Sequence, residues 1–586
     1  MDGLQVASFE SASMQGGHGH RAVFDSEDLN KLENKSQVSG SALPPLNDVC
    51  QSIKKRLDEL DMNEREIFLE RLELKSRWNR SLTVTQFPNE ILILIFITSS
   101  TLLPSVIDKP DVDYFKFAPT KEKWTKLMLV CRHWCDLVRA TPALWRTIDV
   151  GKGTDWMKLA LARSDHATID VSFSSHFTEG HAELLKPHYH RLRSLRFRSW
   201  PPGALSNSEF PALESLEILC NPQNRLHRPG VYVMEDLALT YEQLPNLRIL
   251  QVTHAAVPTD PLFYTRLRKL SLTGCPIKSS LEHFVQLLAD SPCLLHLELD
   301  RFLQQLDDTG VVGPPRCLPS LRSLRLTTHH PIYSARFLSR IIIPAASLSV
   351  SVNIADDDQD DDRLRHEGLC AAIPSDLQNS FPQLSTITWA KLTAVFEGCT
   401  LECHPTIPEP GETRLVELAL VGPNWEGCLS KAMADFVTIF GSVALAHLET
   451  TGFSEITIAG VESWTRLFRT FPSLESLEAE IADPVIEGFL EASRASPVDE
   501  PIVCRGLQRI TFNDEWGILT DIRDTFRSLV RSLLYRAGRG SRLKELRLEL
   551  HSEAQATVRH KYLSKLEDVV SDVVLGNAFA EKERNM

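Results

Sequence analysis

The stretch SPCLLHLELDRF, Ser291 to Phe302, decides how the rest of the chain is read. Leu294, Leu297 and Leu299 form an LxxLxL pattern. In an extended strand Leu297 and Leu299 point to one side while Glu298 and Asp300 point to the other. One such hexamer is common by chance in any apolar sequence, so its weight depends on recurrence. Outward from it the pattern recurs as LRKLSL from Leu267, LRILQV from Leu247, LESLEI from Leu213 and LRSLRF from Leu192 on the N-terminal side. On the C-terminal side come LRSLRL from Leu321, LSTITW from Leu384, LVELAL from Leu415, LAHLET from Leu445, LESLEA from Leu474, LQRITF from Leu507 and LKELRL from Leu543. The starts lie 21, 34, 20, 27, 27, 63, 31, 30, 29, 33 and 36 residues apart, and the 63-residue gap contains the degenerate LSVSVN from Leu348. Thirteen short strands at this period predict a solenoid, because no unit can bury its apolar face alone and neighbours must stack.

Between strands, segments such as SLEHFVQLLADSP (280–292) and ESWTRLFRTFP (462–472) read as returning helices. Pro211, Pro245, Pro292, Pro319, Pro382 and Pro472 stand two residues before the first leucine of a unit, and each is expected to end a helix there. The expected fold class is therefore α/β: an N-terminal helix, a small all-α module, then a solenoid with a parallel sheet on its concave face and helices outside. Residues between and just after the core leucines should face the concave side. They include Arg196, Arg198, Glu217, Gln251, Glu298, Asp300, Arg325, Glu449, Glu478, Glu480 and Arg547. Their mixed signs suit a protein partner better than a polyanion.

The composition sets outer limits. The chain has 586 residues, 43% hydrophobic and 24% charged, with a net charge of −14. That balance argues against a general nucleic-acid or anionic-membrane binder, both of which need a dense cationic footprint. Residues 1–46 are poor in clustered hydrophobics and read as a disordered tail, with no secretory signal. The longest apolar run, Ile91 to Ile97, is far too short to span a bilayer. Twelve cysteines without a CxxC pair read as free thiols of the cytosol or nucleus.

From about residue 47 to 82, Ile53, Leu60, Ile67 and Leu74 recur at sevens, with Leu57 and Trp78 on the same stripe. This is an amphipathic helix. Glu64 and Arg71 interrupt the companion seam, so both a two-stranded coiled coil and a helix folding back on its own neighbour remain open. Next comes TQFPNEILILIFITSS, where Pro88 suits a first helical turn and Glu90 complements the helix dipole. A further helix reads KWTKLMLVCRHWCDLVRATPALW (123–145), with Trp124, Leu127, Val130, Cys131, Trp134 and Val138 on one face.

The segment 83–150 resembles an F-box, through Phe87 and Pro88, then Glu90, Ile91, Leu92, Ile95 and Phe96, then LVCRHW (Leu129 to Trp134), and the closing TPALW (Thr141 to Trp145). Relative to that family it carries an inserted loop at about 98–123. With the repeats of 151–575 and a tail at 576–586, the chain is similar to the F-box proteins with irregular leucine-rich repeats of mushroom-forming fungi. The resemblance implies that Phe87, Pro88, Ile91, Leu92, Ile95, Phe96, Leu129, Val130, Cys131, Trp134 and Trp145 pack on a Skp-type adaptor and through it on a cullin–RING ligase. The repeats would hold a protein target. The function expected on this basis is the substrate-recognition subunit of an SCF-type ubiquitin ligase. A non-catalytic repeat scaffold acting without ubiquitination is the alternative.

No catalytic motif stands out: GKGT at Gly151 lacks P-loop spacing, and there is no GxSxG or HExxH. The chain is expected to be no enzyme and to need no cofactor. Cys399, Cys403 and His404 lack the second ligand pair of a structural zinc site. The acidic run Asp356 to Asp362 matches a calcium loop at some ligand positions but has Asp361 where the sharp turn needs Gly, so a solvated loop is expected.

Overall fold

A computed structural model describes residues 46–102, 123–151, 153–174, 177–198, 208–219, 239–258, 260–277, 279–307, 313–354, 368–395, 398–409, 414–422, 429–452, 459–480, 483–494, 502–513 and 522–577. The expected N-terminal tail apart from Leu46, most of the inserted loop and the acidic run lie outside them. The chain divides into one unit ending at Phe87 and a second beginning at Pro88.

The described residues of the first unit form one long helix, α1 (Leu46–Ser81), followed by a 3-10 turn at Thr83–Gln86. Ion pairs one turn apart, Arg56 with Glu59 at 2.9 Å and Arg77 with Glu73 at 2.7 Å, lie along its surface. Each contributes only a few tenths of a kcal/mol.

The second unit is mixed α/β and is organised by one large, mostly parallel sheet. Its seventeen strands among the described residues are β1 (Thr147–Val150), β2 (Ile169–Phe173), β3 (Leu192–Phe197), β4 (Ser215–Leu219), β5 (Ile249–Thr253), β6 (Lys269–Thr273), β7 (His296–Asp300), β8 (Ser323–Thr328) and β9 (Ser347–Asn353). They continue as β10 (Trp389–Val395), β11 (Gly398–His404), β12 (Val416–Val421), β13 (His447–Gly452), β14 (Ser476–Glu480), β15 (Arg509–Asn513), β16 (Leu543–Leu550) and β17 (Val570–Asn577). A separate pair, Arg316–Cys317 with Ile341–Ile342, is also parallel.

The repeated sequence explains the repeated geometry. At all six marked prolines the first leucine of the unit donates its N–H to the carbonyl of the residue before the proline. Leu213 bonds to Phe210 at 3.1 Å, Leu294 to Ser291 at 3.2 Å and Leu474 to Phe471 at 3.2 Å, and Leu247, Leu321 and Leu384 do the same. Proline therefore occupies the second position of a tight turn, where its fixed φ is favourable. The expected helix stop holds at Pro292, Pro382 and Pro472, which follow the helices Leu281–Ala289, Leu377–Ser380 and Val461–Thr470, whereas among the described residues no helix runs up to Pro211, Pro245 or Pro319; the turn is what all six share. The turn delivers the chain into the strand with the first leucine buried.

From there alternation takes over. Register places Ile148, Val171, Leu195, Leu216, Leu250, Leu270, Leu297, Leu324, Leu348 and Val416 side by side, and two residues on it aligns Val150, Phe173, Phe197, Ile218, Val252, Leu272, Leu299, Leu326, Val350 and Leu418. Every residue of both rows is buried. Parallel neighbours need crossover connections, and several contain helices whose buried faces join the same core, as Phe284, Val285 and Leu288 do from Leu281–Ala289. His254, Gly274 and Arg301 follow the ends of β5, β6 and β7 with φ of 54°, 55° and 50°. Each donates its N–H to a carbonyl at the end of the next strand, His254 to Thr273 at 2.8 Å, Gly274 to Asp300 at 2.7 Å and Arg301 to the penultimate Thr327 at 2.7 Å. Only Gly274 takes up that left-handed conformation without steric cost.

The sheet departs from a simple succession in its middle. β9 pairs with β12, not β10; β12 and β11 are antiparallel, as are β11 and β10, and β10 then pairs in parallel with β13. The expected stacking of all thirteen strands in chain order is thus corrected between Leu348 and Leu445: the chain jumps ahead and meanders back. Gly398 opens β11 so close to β12 that a Cβ there would meet the Leu420 carbonyl oxygen at 2.2 Å. The motif at Leu384 is also displaced, since Pro382–Thr386 forms a 3-10 turn and the strand starts only at Trp389.

Candidate functional site

Two surfaces of the second unit carry the residues singled out in the sequence. The first is apolar. Helix α2 (Asn89–Leu102) is hydrophobic on all sides and so cannot be satisfied by one core. It buries Leu92 and Phe96, one turn apart, and leaves Ile91, Leu94 and Ile95 exposed at 44%, 59% and 45%. The expected second helix is interrupted. A 3-10 segment Lys123–Leu129 ends at Val130, Cys131 is extended (φ −157°, ψ 167°), and its Sγ accepts the N–H of Trp134 at 3.5 Å to begin α3 (Arg132–Ala140). Cysteine here acts as an N-cap residue. The interruption turns Leu129 and Val130 outward, 85% and 52% exposed. Thr141, extended before Pro142, ends α3, and the turn Pro142–Trp145 carries Trp145 inward, where its Nε1 donates to the Val138 carbonyl at 2.8 Å.

The structure therefore sorts the residues expected on an adaptor. Ile91, Ile95, Leu129 and Val130 are exposed, as are Pro88 and, at the end of the first unit, Phe87; Cys131 and Trp134 are half-buried. Leu92, Phe96 and Trp145 require correction: they are buried inside this chain, with Phe96 edge-on to Trp134 at 4.7 Å and Trp145 against Trp156 at 5.5 Å. They support the ridge from beneath and cannot touch a partner. Leu94 was missed by the sequence reading, although it lies within the same apolar run.

The second surface is the polar face of the sheet. One register row runs Asp149, Ser172, Arg196, Glu217, Gln251, Ser271, Glu298, Arg325, Ser349 and Glu417, crosses the meander through Glu402 and Lys391, and continues as Glu449, Glu478, Thr511, Arg547 and Val574. Eight of the residues expected on the concave side (Arg196, Glu217, Gln251, Glu298, Arg325, Glu449, Glu478 and Arg547) fall in this single row. Asp300 and Glu480 occupy the next row at their strand ends, and Arg198 follows β3. Lys391, Glu402 and Glu417 were missed: the strand at Leu384 is offset, β11 has no leucine hexamer, and Glu417 was simply not singled out within its own motif.

Neighbours in the row are coupled. Arg196 pairs with Glu217, and Gln251, with its amide turned to satisfy both sides, donates to Glu217 Oε1 at 2.9 Å and accepts from Lys269 Nζ at 3.2 Å. Arg325 lies 3.7 Å from Glu298, Arg414 bridges Glu402 (3.1 Å) and Glu417, and Lys391 pairs with Glu449. Arg547 lies between Glu545 and Glu549 at 3.7 and 3.8 Å. Glu478 accepts from Asn513 at 2.5 Å, yet burial, reinforced by the Glu449 carboxylate, raises its pKa above the usual carboxylate range. Burial likewise raises Asp300.

A carboxyl whose folded pKa exceeds its unfolded one opposes folding when ionised, and the penalty disappears as pH falls through the raised value to the ordinary one. Glu478→Gln should therefore melt higher than wild type at pH 7, on the order of 1 °C for a chain of this size. The difference should vanish by about pH 4. Differential scanning calorimetry at the two pH values checks this.

The buried thiols are subdued. Burial pushes the thiols of Cys370 and Cys399 up to about 12 and Cys504 to about 11, and raises Cys403 as well. Such thiols stay protonated at neutral pH and are weak nucleophiles and ligands. Cys399 and Cys403 sit within the core on β11, and the His404 ring stands edge-on to Trp389 at 5.2 Å. Among the described residues no group of three or more His, Cys, Asp or Glu is disposed to hold a metal ion, and no helix is long and apolar enough to cross a membrane. In the comparisons with known proteins, no family model matches the chain and no curated protein is significantly similar to it.

Proposed function

We propose that the protein is the substrate-recognition subunit of an SCF-type ubiquitin ligase. In this reading the helical region docks a Skp-type adaptor through Ile91, Leu94, Ile95, Leu129 and Val130, with Pro88 at its border. The large sheet belongs to a leucine-rich-repeat solenoid whose polar face lines the concave side and holds a protein target. The contribution is proximity: a bound target is kept near the conjugating enzyme at high effective concentration, and this chain makes no bond itself.

The observation that carries the reading is α2. It supports its own core with Leu92 and Phe96 and still presents three large aliphatic side chains outward, and Leu129 and Val130 are exposed as well. Clustered exposed apolar residues of this kind mark interaction sites. The polar row supports the second half: mixed charges held in fixed register suit recognition of a structured protein surface better than of a polyanion. The repeat spacing and the turn shared by the six marked prolines support the solenoid.

Co-expression with a Skp-type adaptor tests the first half. A stable complex that survives gel filtration is expected, and an adaptor that elutes separately at micromolar concentrations contradicts it. A scaffold without ubiquitination is the second reading, favoured by the exposed apolar stripe of α1, which would serve self-association.

A further inference from the structure

Helix α1 is about 54 Å long at 1.5 Å per residue, and it carries an apolar seam that is not covered by the described residues. Ile53, Leu57, Leu60, Ile67, Leu74 and Trp78 are all exposed, Ile67 at 66% and Trp78 at 71%. Isolated helices in water gain little from propensity and local ion pairs, and a long one is normally held by packing of its apolar face. The identity of the cover can be read from the two charges that interrupt the seam.

The full seam is Ile53, Leu57, Leu60, Glu64, Ile67, Arg71, Leu74 and Trp78, with steps of 4, 3, 4, 3, 4, 3 and 4 residues. This series is the same read in either direction. Two copies laid antiparallel therefore interlock over the whole seam: Ile53 of one copy meets Trp78 of the other, Leu57 meets Leu74, Leu60 meets Arg71 and Glu64 meets Ile67. Each charge then lies against an aliphatic side chain rather than against its own kind. Glu64 of one copy also comes within one layer of Arg71 of the other, twice by symmetry. A parallel in-register pair would instead place Glu64 on Glu64 and Arg71 on Arg71, which is repulsive at both seam positions.

We propose that α1 is a homodimerisation element that pairs with α1 of a second copy in antiparallel orientation, fixed by reciprocal Glu64–Arg71 contacts. The interface is isologous, as a two-fold requires. It is independent of adaptor docking and of what the polar row binds.

The test is sedimentation equilibrium of the full chain with three variants, far-UV circular dichroism confirming that each retains its helix. Wild type should be a dimer at micromolar concentration. Glu64→Arg and Arg71→Glu should each raise the dissociation constant at least ~10-fold, because each leaves like charges facing across the antiparallel seam. The double variant Glu64→Arg with Arg71→Glu should return close to wild type, since the pairs are restored with reversed sign. A monomeric wild type at tens of micromolar, a dimer indifferent to the single reversals, or a double variant no better than the singles each overturns the proposal. Indifference to the single reversals is also the result expected of a parallel pair.

Discussion

Replacing Ile91, Ile95 and Leu129 together by aspartate should weaken adaptor binding at least a hundredfold while leaving the melting temperature nearly unchanged. The two effects separate because these side chains are exposed in the free chain. Substitutions at such positions usually change stability by less than about 0.5 kcal/mol each. In a complex they would be desolvated, and an aspartate at the centre of an apolar contact leaves a buried charge without a counterion, which costs several kcal/mol. The contrast is Leu92→Ala. Leu92 is fully buried beneath the ridge, so its truncation should cost about 2–5 kcal/mol of stability and weaken binding only through loss of fold. Isothermal titration with purified adaptor, set beside thermal melts, distinguishes the two classes. If the aspartate variant binds as wild type does, the ridge is not the docking surface.

The largest stability effect is expected at Trp464. It lies fully buried on the helix Val461–Thr470, 5.6 Å from Phe489 on the neighbouring helix Asp483–Ala492 and 5.8 Å from Phe468. Trp464→Ala removes the side chain that joins these two helices and should cost about 3–5 kcal/mol. Its indole N–H finds no hydrogen-bond partner among the described residues, so Trp464→Phe loses volume but gives up no hydrogen bond seen there. That variant should therefore cost far less, on the order of 1 kcal/mol. Urea unfolding followed by circular dichroism gives both values. If the units stack as a linear array, the alanine variant should also unfold in two steps, because coupling between neighbouring units is nearest-neighbour only.

Much of the sheet was legible from leucine spacing, since LxxLxL combines a turn exit with strand alternation, and both are local. Four strands escaped it. β1 and β2 use Ile, Val and Phe in plain alternation without the leading leucine, β17 (VSDVVLGN) has neither the hexamer nor a regular alternation, and β11 uses Cys399, Leu401 and Cys403. The meander of β10 to β12 was not legible, because the reversal keeps the same alternation and shows only in which strands pair. The polar row followed almost directly from the pattern, failing where Trp389 rather than Leu384 begins the strand and at Glu402 and Glu417. The ridge was legible as a segment but not as a face. When a helix is apolar on every side, its sequence does not say whether Leu92 or Leu94 is inside, and only the packing of Phe96 on Trp134 decides it.

The most direct measurement is the half-life of proteins captured through the polar face, compared in cells carrying wild type and cells carrying the Ile91, Ile95, Leu129 aspartate variant. A substrate receptor predicts at least one captured protein that turns over in the first strain, is stabilised several-fold in the second, and accumulates with the proteasome inhibited. Captured proteins with equal half-lives in both strains would contradict the account and leave a scaffold in its place.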